Sequence, residues 1–92
     1  MSNNLERKVN ILNKFLEKLD LYGVCGFFVD SEETDQGDSI SVYLIIDEDF
    51  IRNSGARPDL LGRGMRAKVK NKINDFLGFE NIYVGSFAKK CD

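Results

Sequence analysis

The side chains able to do chemistry fall in two blocks of opposite sign. Asp30 to Asp49 holds eight acidic residues and no basic one, and Arg52 to Lys72 holds seven basic residues against a single acid, Asp59. The chain has no histidine, so acid–base catalysis would have to rest on carboxylates, lysine or tyrosine. A catalytic Cys25 or Cys91 would want a histidine or another base beside it, and the chain has no histidine to supply one. Asp30, Glu32, Thr34, Gln36 and Asp38 alternate as the oxygen ligands of a calcium loop do. Asp35 stands where such a loop needs glycine, however, and Ser41 where it needs a bidentate glutamate. Asp47 and Asp49 could hold magnesium at a strand end, yet no lysine or histidine accompanies them in a nuclease pattern. No metal, cofactor or catalytic constellation is expected, and the chain reads as a non-enzyme.

The basic block suits an anion, foremost a nucleic-acid backbone. Arg63, Arg66 and Lys70 are spaced by three and four, which places them on one helix face, with Arg57 just upstream. Gly62 and Gly64 would let backbone N–H groups approach a phosphate at a helix start. The competing reading is a solvated helix face paired with the protein's own acidic block, within one chain or across a dimer.

These side chains must be positioned by few elements. Leu5, Val9, Leu12, Phe15, Leu16 and Leu19 make one stripe at the helical period and predict a helix over 4–20. Ser2, Asn3 or Asn4 can cap it, and Gly23 stops the chain beyond it. Val24 to Asp30 reads as a strand. Ile40 to Asp47 alternates, with Ile40, Val42, Leu44 and Ile46 on one face and Ser41, Tyr43 and Ile45 on the other. Ser31 to Ser39 between them is polar and acidic, a hairpin loop longer than the tightest turns. The stretch 48–64 is irregular, with a turn at Asn53-Ser54-Gly55 and a helical turn at Pro58. A second long helix runs from Met65 to Leu77 with Met65, Val69, Ile73, Phe76 and Leu77 buried, and Gly78 ends it. Ile82 to Phe87 is the third strand. The expected fold is α+β: a two-layer sandwich in the order α-β-β-α-β, one domain over 1–92 with an ordered core at about 4–87. Three strands form its sheet, with both helices on one face.

The other sheet face carries too much apolar surface. With Val24 and Phe28 turned to the helices, Cys25, Phe27, Val29, Tyr43, Ile45, Tyr83 and Phe87 remain outside, where an antiparallel sheet open to water usually alternates with polar residues. Such a patch marks a contact. The candidate interface is Phe27, Val29, Tyr43, Ile45, Tyr83 and Phe87, for a homodimer or another protein partner. Aromatic stacking of single-stranded nucleic acid on the same rings is the alternative.

The segment Ala56-Arg57-Pro58-Asp59-Leu60-Leu61-Gly62-Arg63-Gly64 resembles part of the type II KH domain, which carries a Gly-x-x-Gly loop between two helices. The resemblance implies the order α-β-β-α-α-β, with Pro58 to Leu61 as a short helix. It also implies an RNA- or single-stranded-DNA-binding groove, with Gly62, Arg63 and Gly64 against the backbone and Arg57, Arg66 and Lys70 flanking it. Met65 stands where the second glycine of the loop belongs.

Composition narrows the setting. The chain has 92 residues, 42% hydrophobic and 30% charged with net charge −2, which suits one small globular domain. No apolar run is long enough to span a membrane, and residues 1–10 lack the apolar core of a signal peptide, so a cytoplasmic location is expected. Cys25 and Cys91 then read as a buried thiol and a tail thiol. The functional expectation is a small interaction protein that self-associates or docks on a larger partner. The alternative is a KH-like nucleic-acid module using 62–72.

Overall fold

A computed structural model describes residues 3–91. Its elements are α1 (Asn3–Lys18), β1 (Val24–Thr34), β2 (Gly37–Asp47), α2 (Glu48–Ser54), α3 (Pro58–Leu77) and β3 (Ile82–Lys89). The expected cap at Ser2 lies outside the described residues, as does the side chain of Asn3. The sheet order is β1-β2-β3, with β1 antiparallel and β3 parallel to β2. A parallel neighbour requires a crossover, and α2 and α3 supply it.

The helical stripes meet the sheet as the period dictates. Leu5, Leu12 and Leu16 of α1 and Val69 and Ile73 of α3 form one core with Ile40, Val42, Leu44, Ile82 and Val84. Both long helices therefore cover one sheet face, and the fold is a two-layer α+β sandwich. Phe76 departs from the expected stripe. It is 72% exposed and meets Phe15 at 6.1 Å between ring centroids, because Val69 and Ile73 already fill the side of α3 that faces the sheet.

The irregular stretch resolves into two helices. Asp47 caps α2 by accepting a hydrogen bond from the Asp49 N–H at 3.1 Å, and Glu48 and Asp49 suit the positive end of its dipole. Gly55, with φ of 71°, ends it in the left-handed conformation. Pro58 then opens α3 as its first helical residue, where its missing N–H costs nothing. The hairpin is also tighter than expected. Strand pairing continues through Glu33↔Asp38 to Thr34↔Gly37, so much of the acidic segment is an exposed two-stranded extension rather than a loop.

Candidate functional site

The outer sheet face is built by a pleat that shifts once. Val24 pairs with Ile46, but Gly26, not Cys25, pairs with Ile45, so a β-bulge sits at Cys25. One extra residue turns every later side chain of β1 to the opposite face. Phe27 pairs with Leu44 and Val29 with Val42, and both pack against the helical core. This corrects their expected place in the outer interface. Phe28, expected inside, lies outside instead. The signal was present as a Cys-Gly pair inside an apolar strand, a pattern that marks bulges.

Tyr43, Ile45, Tyr83 and Phe87 do lie on the outer face, and Phe28 completes the set. Phe28 stacks on Tyr43 at 4.9 Å and approaches Phe87 at 5.9 Å, while Tyr43 meets Tyr83 edge-on at 6.0 Å. Gly85, paired with Tyr43, makes this possible. A Cβ there would lie 3.0 Å from carbons of both the Tyr43 and the Tyr83 ring, and the two rings bury the bare backbone in its place. Phe28, Tyr83 and Phe87 remain 45%, 60% and 41% exposed. Four rings linked by three ring–ring contacts on one open face form a patch, unlike apolar residues scattered singly.

Charge is graded along this face. Alternation from Phe28 turns Asp30 and Glu32 outward toward the hairpin end, beside Ser41 and Ser39 of β2. At the other end Lys89 closes β3 opposite Asp47, and Lys90 follows. The Asp47 carboxylate is occupied as the cap of α2. The outer face thus runs from acidic, through aromatic, to an end where Lys89 and Lys90 outnumber the Asp47 carboxylate.

Cys25 and Cys91 lie at the basic end and are joined as a disulfide, with Cα atoms 6.4 Å apart. This corrects the expectation of two separate thiols. Cys25 is exposed rather than buried, because the bulge turns it out of the apolar alternation.

The basic segment is differently arranged from its expectation. Gly62, Arg63 and Gly64 lie inside continuous α3 and make no loop. The break between the last two helices falls at Gly55-Ala56-Arg57. Gly62 is buried, and Arg66 folds back over it to donate a 2.7 Å hydrogen bond from Nη1 to Ser86 Oγ on β3. Arg57 pairs with Asp59 at 3.5 Å. Gly64 is exposed on α3, as are Arg63 and Lys70, and these two lysine and arginine side chains share a helix flank without the Arg66 guanidinium between them. Among the described residues no three His, Cys, Asp or Glu side chains converge as metal ligands would, and no helix is long and apolar enough to cross a membrane.

Comparison with known proteins gives no match to a family model, a curated sequence or a solved structure.

Proposed function

We propose that this protein is a non-enzymatic interaction module that self-associates through the outer face of its sheet. The observation that carries the reading is the contacting cluster of Phe28, Tyr43, Tyr83 and Phe87 between an acidic and a basic end. A two-fold axis near Tyr43 and Gly85 would stack two such faces with strands antiparallel. Aromatic rings then meet aromatic rings, and Asp30 and Glu32 on β1 of each protomer meet the Cys25 end of the other's β1, to which the disulfide draws Lys90 and Cys91. An isologous contact needs a patch complementary to itself under that rotation, and a face graded from acid to base meets the requirement.

Area sets the strength. Three strands about 4.8 Å apart and six residues rising about 3.3 Å each give a face of about 14 by 20 Å. Even with its relief this falls below the roughly 800 Å² per partner of a standard stable interface. The expected dimer is weak, with Kd on the order of 10 µM. Nucleic-acid binding through α3 would instead draw on Arg63 and Lys70, which are exposed on one helix flank, while the Arg66 guanidinium is turned onto Ser86 and Arg57 pairs with Asp59.

Sedimentation velocity across a concentration series tests the reading. A monomer–dimer equilibrium is expected, abolished by Phe28→Asp with Tyr83→Asp while the circular dichroism spectrum is retained. A wild-type chain still monomeric at about 200 µM, well above the expected Kd, would overturn it. So would a variant that dimerises as the wild type does. Salt-sensitive capture of an oligonucleotide by the monomer would point to α3 instead.

A further inference from the structure

Strand order makes the disulfide more than a staple. The edge strands β1 and β3 both pair with β2 and not with each other, and Cys25–Cys91 ties one to the segment leaving the other across a sequence separation of 66. Beyond Lys89 the chain leaves the sheet. Cys25, Ile45, Lys89, Lys90 and Cys91 line a single cleft, and Ile45 faces outward between buried Leu44 and Ile46. The tail therefore crosses β2 on the outer side, over Ile45, and is fastened at the far edge. It straps the basic end of the aromatic face.

We propose that the Cys25–Cys91 bond is a reversible modification site, a latch that an external dithiol opens and that controls the outer face. Its consequence rests on the self-association reading above. Cys25 is exposed in its bulge and can be approached. One thiolate of the dithiol attacks Cys25 Sγ. The Cys25–Cys91 bond breaks, and its electron pair leaves on Cys91 Sγ as a thiolate, beside the positive charges of Lys89 and Lys90 that favour it. The second thiol of the reagent, as its thiolate, attacks the mixed disulfide and releases Cys25. The protein disulfide gains two electrons and two protons, and the dithiol becomes its own disulfide.

Opening the latch frees Lys90 from the end of the face and uncovers Ile45. The closed strap stands above β2 at one end, while at the opposite end β2 carries the small side chains of Ser39 and Ser41, flanked on β1 by Asp30 and Glu32. Antiparallel stacking sets raised end against low end and Lys90 against the partner's acids. The latched form is therefore the better dimer.

Full-length protein, air-oxidised or treated with dithiothreitol, would be alkylated with iodoacetamide and weighed by mass spectrometry, with parallel sedimentation and circular dichroism. Oxidised protein is expected to take no alkyl group, and reduced but still folded protein to take two. The dimer Kd is expected to rise about tenfold on reduction. Cys25→Ser with Cys91→Ser should match the reduced protein with or without dithiol. Cysteines that alkylate before reduction, or resist dithiothreitol until the chain unfolds, would overturn the latch. A dimer of equal or greater affinity after reduction would overturn its control of the face. A monomer in both states would overturn the self-association reading, with the alkylation pattern still deciding the latch.

Discussion

Arg66 reaches back along α3 and donates a 2.7 Å hydrogen bond to the hydroxyl of Ser86 on β3. The bond is part-buried and spans helix and sheet, so it supports the fold. A bond to a charged donor contributes roughly 1.5–3 kcal/mol. Partial solvent screening places Arg66→Ala at the lower end, a loss of about 1–2 kcal/mol in denaturant unfolding. Ser86→Ala should cost a similar amount, and the double variant little more than either single one. Additive losses would mean that the two residues do not act together.

Gly62 supplies the notch for that bond. A Cβ there would lie 2.9 Å from Arg66 Nη1 and 3.3 Å from Ser86 Oγ. Glycine inside a helix ordinarily costs about 1 kcal/mol relative to alanine. The displaced guanidinium offsets or outweighs that gain, so Gly62→Ala is expected to destabilise the wild type by at most about 1 kcal/mol. In an Arg66→Ala background the same change should stabilise by about 1 kcal/mol. Thermal unfolding of the four proteins shows whether the sign reverses.

Charge grading predicts a complementation experiment. Lys89→Glu with Lys90→Glu makes both ends of the face acidic, and Asp30→Lys with Glu32→Lys makes both basic. Each variant alone should be monomeric. An equimolar mixture should form a heterodimer, since acidic ends then meet basic ends at both contacts. Raised salt should weaken it, as these charges are exposed. A mixture that stays monomeric in sedimentation velocity would exclude the antiparallel arrangement.

Gly85 tests the aromatic cluster without touching a ring. Valine there would drive apart Tyr43 and Tyr83, which now close to 3.0 Å from the site of its Cβ. Self-association should fall about tenfold or more. The core on the other face should be unaffected, so the helical circular dichroism should persist.

The disulfide should also stabilise the folded chain. Closing a loop of this length removes denatured-state entropy worth about 4 kcal/mol in the chain-entropy limit, and measured values commonly fall at 2–4. Urea unfolding with and without dithiothreitol should differ by about 2–4 kcal/mol. The Cys25→Ser, Cys91→Ser variant should show the same deficit and no response to the reagent.

Local periodicity made much of the fold legible. The stripe from Leu5 to Leu16, the stripe through Val69 and Ile73, and the alternation of Ile40, Val42, Leu44 and Ile46 each repeat at the spacing of their element. A repeat of that kind needs no distant contact to assign a buried face. Gly78 marked the end of the second long helix for the same local reason. Asp47 was legible as an acid but not as a cap, and so α2 was missed.

Tertiary structure decided what depended on register and on partners far along the chain. One extra residue at Cys25 set which of Phe27 and Phe28 faces water, and composition reads the same in either register. Arg66 carries a charge that suits a phosphate as well as Ser86, and only the packing of α3 on β3 chose between them. Cys25 and Cys91 became a pair because the order β1-β2-β3 brings Lys90 and Cys91 over Ile45. Sequence alone determined two layers, an acidic block and a basic block. The aromatic cluster, the grading of charge across it and the bond that straps it arise from strand pairing, a non-local choice that no short window of residues contains.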